Sequence, residues 1–152
     1  MHRLYVKDDI TIFWDSDKCY HAKKCVTGCP EVFDINKKPW INPAGADSAR
    51  IWQTVEKCPS GALTVTYNHG VTVEYDEAGS RSVALFDNRE IGECDYDTST
   101  GEWVIYHTEV SPDFGGKQIA KRLVFKLLEE AEKRKIHVSA TCSYAVKVMG
   151  ND

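Results

Sequence analysis

At 152 residues the chain has room for one ordinary domain or two very small ones. With 42% hydrophobic and 28% charged residues it is neither disordered nor membranous, and no apolar run is long enough to span a bilayer. A net charge of −4 argues against the basic face of a nucleic-acid binder.

The opening "MHRLYVKDDI" lacks the apolar stretch of a secretory signal. The expectation is a cytoplasmic protein with neither membrane nor nucleic acid as partner. Its six cysteines are then expected to be mostly reduced, which favours metal ligation or thiol chemistry over a disulfide framework. The charge is uneven: residues 1–68 carry nine Lys/Arg and eight Asp/Glu, residues 69–152 ten and fifteen.

In chain order, "DDITIFWD" (8–15) alternates like a strand, and a polar stretch rich in cysteine follows it. "SARIWQTVEKC" (48–58) reads as a helix with Ser48 as N-cap and Ile51, Trp52 and Val55 on one face. Pro59 and Gly61 end it, and "ALTVTY" (62–67) is a second strand. The turn "NHG" (68–70) is the natural module boundary, giving domains 1–68 and 69–152. Beyond it, 71–77, 81–88 and 101–110 read as strands of an antiparallel meander, with "REIGECDYD" as a fourth, shorter one. From Lys117 to Arg134 apolar residues recur every three or four positions, a helix of about five turns. "HVSATCSY" (137–144) reads as a last strand, and the fold class is α+β.

Two constellations carry chemistry. The first is Cys19, Cys25 and Cys29 in "KCYHAKKCVTGCPEVF", joined by Cys58 in "KCPSGAL". Iron–sulfur clusters take thiolates from a tight loop plus one distant cysteine, often followed by proline. Zinc is the alternative, but structural zinc sites use paired knuckles with two to four residues between the cysteines. Here the spacings are C-x5-C and C-x3-C, with Cys58 alone.

The second is "HTEVSPDFGGKQIAKRL", a strand, a glycine-bearing turn and a helix start. Unpaired N–H groups and the positive end of a helix dipole suit a pyrophosphate, and glycines let it approach the backbone.

The stretch "CYHAKKCVTGCPEVFDINKKPWINP…KCPSGAL" resembles the divergent single-cluster ferredoxin domains, over residues 4–67. The resemblance implies a small fold with a 3Fe-4S or 4Fe-4S cluster held by Cys19, Cys25 and Cys58. Ordinary four-iron ferredoxins have a further cysteine where this chain has Ala22, so a 4Fe-4S cluster would draw on His21 or Cys29.

Residues 71–149 resemble the GNAT superfamily of N-acetyltransferases, through "HTEV", "GGKQIAKRL" and "TCSYAVK". That implies acetyl-CoA as cofactor. Phe114, Gly115, Gly116, Lys117, Gln118, Ile119 and Ala120 would cradle the pyrophosphate, and the strand end from Thr108 to Val110 would pair with the pantetheine arm. The family's loop runs R-G-x-G-I-A; Gly115 replaces its arginine and Gln118 its second glycine. Cys142, Tyr144, His107 and Glu109 are the candidates for proton transfer or nucleophilic attack. Besides a structural metal protein with no catalysis, two functions follow. One is an N-acyltransferase acting on an unknown amine, with an attached cluster domain. The other is a non-catalytic redox or sensing module, working with a redox partner protein, whose second half only binds a ligand.

Overall fold

The computed structural model describes residues 2–19 and 23–149. The chain divides into two compact units, Met1–Asn68 and His69–Asp152.

In the first unit, β1 (His2–Val6) and β2 (Ile10–Asp15) form an antiparallel pair, and β3 (Leu63–Tyr67) adds to the other edge of β2. β2 is therefore central. Its side chains are buried on both faces, with Ile10 and Ile12 fully covered and Phe13 1% exposed. β1 carries a weaker alternation, because an edge strand with His2 and Arg3 is only half buried, and the sequence reading missed it. The β1–β2 turn is locked by Asn68. Its Nδ2 donates to the carbonyls of Lys7 at 2.6 Å and Ile10 at 3.2 Å, and its Oδ1 accepts from the Thr11 hydroxyl.

Two helices connect β2 to β3: α1 (Lys24–Gly28), inside the polar cysteine stretch, and α2 (Ser48–Glu56). The N-cap of α2 is Asp47, not Ser48. The Asp47 carboxylate accepts from the Arg50 N–H at 2.8 Å, while the Ser48 hydroxyl donates to Asp9 at 2.7 Å. Ile51 and Val55 bury into a core with Ile10, Ile12, Val32, Phe33, Ile41 and Leu63. Trp52 stacks on Tyr67 with ring centroids 4.5 Å apart.

In the second unit, β4 (Thr72–Asp76), β5 (Arg81–Phe86), β6 (Arg89–Asp97) and β7 (Trp103–Val110) form an antiparallel meander in chain order. The expected short fourth strand is nine residues long and sits inside the sheet. Its alternation is obscured by Gly92, where a Cβ would approach the Glu109 carbonyl to 2.9 Å, so the neighbouring strand lies close because the side chain is missing.

α3 (Ile119–Lys133) packs Ile119, Leu123, Val124, Leu127, Leu128 and Ala131 onto Ala84, Cys94, Tyr96 and Ile105 of the sheet. On the opposite sheet face Arg81 reaches Asp76 at 3.0 Å and Glu90 and Glu93 at 2.7 Å each. The strand expected over 137–144 shrinks to β8 (Val138–Ala140), which pairs parallel with β7. The N–H groups of Thr141 and Cys142 both point at the Ile105 carbonyl, at 2.9 and 3.3 Å, and the chain then turns into α4 (Ser143–Val148). No helix among the described residues is long and apolar enough to cross a membrane.

Candidate cluster and cofactor sites

Three elements of the first unit deliver three thiols. Cys19 follows the 3-10 turn Ser16–Lys18 at the end of β2, Cys25 lies in α1, and Cys58 ends the turn after α2. All three are partly exposed, and none of the six cysteines is in a disulfide. Burial pushes the Cys25 thiol up, against the lowering effect of the N–H groups of Val26 and Cys25 itself; the neighbouring thiols of Cys58 and Cys19 push it further up.

Cys58 is poised the other way. Burial raises it, but the Leu63 N–H, the Ser60 hydroxyl and the N–H groups of Ser60 and Ala62 together bring it below the ordinary thiol range. Its Sγ lies 3.6 Å from Ser60 Oγ. Pro59 supplies no N–H, so the chain turns away without competing for the sulfur. Ser60 is a residue the sequence reading missed; its signal was the "CPSG" turn itself. Cys29 stands apart. It is fully buried in the apolar core, its N–H donates to the Cys25 carbonyl at 3.0 Å, and its own carbonyl accepts from Val32 and Phe33. His21 lies outside the described residues. Three partly exposed thiols of one unit, one of them ringed by N–H donors, have the donor chemistry an anionic iron–sulfur cluster takes.

In the second unit β7 runs into the 3-10 turn Pro112–Phe114, and the loop through Gly115 to Gln118 opens α3. Val110, Phe114, Gly115, Gly116, Lys117, Gln118, Ile119, Ala120 and Tyr144 line one cavity of about 280 Å³. Every residue expected to hold the cofactor except Thr108 is in that set. The N-cap residue of α3, Gln118, makes no side-chain capping bond. Gly116 turns at φ 73°, and Gln118 at φ 60° sits in the left-handed region although it has a Cβ.

β7 pairs with β8 only from Trp103 to Ile105, so among the described residues no strand pairs with its outer edge from His107 to Val110, where the Thr108 N–H faces the Cys142 sulfur. Opposite β6 the register slips by one residue: Asp95 faces His107 and Tyr96 faces Ile105, leaving Tyr106 as a bulge. Bulges of this kind re-aim side chains beside active sites.

The four catalytic candidates fall into two pairs. Cys142 is the N-cap of α4 rather than a strand residue, and its Sγ lies 3.6 Å from Thr108 Oγ1. Burial raises its thiol, but the N–H groups of Ala145, Tyr144 and Thr108 and the Thr108 hydroxyl lower it below the ordinary value. Tyr144, raised by burial, lines the cofactor cavity nearby. His107 and Glu109 occupy the alternate positions of β7 and point to the other sheet face, with His107 Nε2 3.4 Å from Glu109 Oε2. Glu93 joins them closely enough for the three to meet one ion.

Cys94, which the sequence assigned to nothing, shares the Thr108 hydroxyl at 3.4 Å. Its fully buried position pushes its pKa up to about 12. The signal for it was the pairing of β6 with β7, which sets Cys94 opposite Thr108.

Residues 5–68 match the divergent 4Fe-4S mono-cluster family, and residues 81–152 match the GCN5-related N-acetyl-transferases. Over 68 residues, 45% of this chain, it is 35% identical to the uncharacterized protein YjdI of Escherichia coli (strain K12), 87% of which is covered. A GCN5-related N-acetyltransferase from Sphaerobacter thermophilus is similar at 14% identity and TM-score 0.42, over 90% of this chain and 36% of that structure. The ribosomal-protein-alanine N-acetyltransferase of Brucella melitensis biovar Abortus 2308 is similar at 24% identity and TM-score 0.35, over 47% of this chain and 60% of that one. Both structural likenesses are too loose to bear on function. The chain belongs to the divergent 4Fe-4S mono-cluster family through residues 5–68 and continues into a GCN5-related N-acetyltransferase domain over residues 81–152.

Proposed function

We propose that the protein is an acyl-CoA-dependent N-acyltransferase that carries an iron–sulfur cluster and works in the reducing cytoplasm. The observation that carries the transferase reading is the cavity at the start of α3, which adjoins the outer edge of β7 and the Cys142–Thr108 corner.

In this reading Lys117 and the first N–H groups of α3 hold the pyrophosphate of acetyl-CoA. Gly115, Gly116 and Gln118 shape the loop, Phe114, Ile119 and Ala120 wall it, and backbone from Thr108 to Val110 pairs with the pantetheine arm and polarises the thioester carbonyl. An amine attacks that carbonyl; a C–N bond forms, the C–S bond breaks, and the CoA sulfur leaves with its electron pair. Cys142 or Tyr144 supplies the proton that the leaving sulfur takes up. His107, beside Glu109 on the other sheet face, is the candidate base for the amine proton.

In the first unit Cys19, Cys25 and Cys58 are the ligands, and a bound cluster supplies one-electron chemistry or redox sensing there. Three thiolates suffice for a 3Fe-4S cluster. A 4Fe-4S cluster would need a fourth ligand, His21 or Cys29, and Cys29 would have to leave the apolar core to supply it.

A second reading, a redox module that only binds an acyl-CoA, rests on Gln118, whose side chain stands where the loop would approach phosphates. One experiment separates the two. Acetyl-CoA should raise the melting temperature of the protein. Cys142→Ala should lower turnover on a panel of primary amines at least ~100-fold while leaving that stabilisation intact, the lower end of a typical general acid's contribution. Stabilisation without acyl transfer to any amine favours the second reading, and no stabilisation at all sinks both. Iron and acid-labile sulfide in anaerobically purified protein distinguish the cluster types and exclude zinc.

A further inference from the structure

A concavity in the first unit begins at two of the thiols assigned to the cluster and extends well beyond them. It is a groove of about 790 Å³, within the range of small-molecule sites. Tyr5, Trp14 and Trp40 give it aromatic walls, with Trp14 and Trp40 packed edge to face at 4.9 Å. Arg3, Lys23, Lys37 and Lys38 line it as well, and among the described residues no carboxylate does. Lys23, Lys37 and Lys38 are exposed, and Ile35 beside them is 72% exposed. Cys19 and Cys25 form part of the wall, whereas Cys58 does not, so the groove leads from two of the thiols outward along the 35–40 loop.

We propose that this groove binds a small planar aromatic anion. The aromatic walls suit a flat ring system, which they contact edge-on or stacked. The four cations suit a phosphate or carboxylate on that ring system, and they attract it from a distance at low salt. Apolar walls with a few convergent charges are the composition of a ligand site. A surface built only to remain hydrated would have both signs of charge interspersed. The shape favours a small molecule over a protein face, because the charges line a concavity.

Flavin mononucleotide is the probe, and riboflavin, the same ring system without the phosphate, is its control. Both are titrated by flavin fluorescence into the anaerobically purified, iron-loaded full chain. Iron is measured in every sample, so loss of the cluster is told apart from loss of the groove. The wild-type protein should bind flavin mononucleotide at least ~tenfold tighter than riboflavin at low salt, with the difference shrinking as salt is added. The double variant Lys37→Gln/Lys38→Gln, with unchanged iron content, should lose most of that advantage and keep its riboflavin affinity. Absence of binding, equal affinity for the two flavins, or full flavin mononucleotide affinity in the double variant would each overturn the assignment.

Discussion

Two cysteines that share one hydroxyl are opposites at the scale of the residue. Cys94 and Cys142 each meet the Thr108 hydroxyl, at 3.4 and 3.6 Å. Cys94 is wholly buried with its pKa pushed up to about 12, whereas Cys142 lies at a helix start among N–H donors that pull its thiol below the ordinary range. The thiolate is the reactive form, and it predominates at lower pH when the pKa falls. Iodoacetamide at neutral pH should therefore modify Cys142 well before Cys94 in the native protein, with the Cys142 rate falling as pH drops through its lowered pKa. Peptide mass spectrometry reads both sites, and equal labelling would contradict the assignment. A similar contrast separates Cys29, a core group, from Cys58, whose sulfur is surrounded by donors.

The element that sets the cofactor cavity is the β7–loop–α3 unit. Its long helix forms because six apolar side chains share one face against the sheet, while Lys126, Lys133 and Arg134 pair with Glu129 and Glu130 on the other. The entry to the helix is less relaxed. Gln118 holds φ 60°, a conformation that a residue with a Cβ adopts at a cost of about 1–2 kcal/mol. Gln118→Gly should relieve that strain, offset in part by the greater freedom of glycine in the unfolded chain. The expected outcome is a gain of about 0.5–1 kcal/mol in the stability of the second unit and no loss of acetyl-CoA affinity. Thermal melts with and without acetyl-CoA check it, and a destabilised variant would show that the Gln118 side chain makes a contact worth more than the strain.

Across the whole molecule, each unit is small enough that its core alone supplies little net stability. A cluster held by Cys19, Cys25 and Cys58 would tie the end of β2, α1 and the turn before β3 together, acting as a staple for residues 2–68 alone. Removing iron under anaerobic chelation should then strip hydrogen-exchange protection from β2 and α2 while β5, β6 and α3 keep theirs; equal loss in both halves would refute independent units. The sequence by itself determined the features that are local. These are the cysteine spacing with Pro59 after the last thiol, the glycine turn before a long amphipathic helix, and the strand–turn punctuation of the meander, because periodicity and turn chemistry are properties of neighbouring residues. Tertiary structure decided the rest. Whether Cys29 meets the other thiols or the core, whether Cys142 ends a strand or opens a helix, which sheet face carries His107, and that Lys37 and Lys38 share a groove with Trp14 all depend on how distant segments pack. Burial and strand register are set by those partners, and no short window of residues contains them.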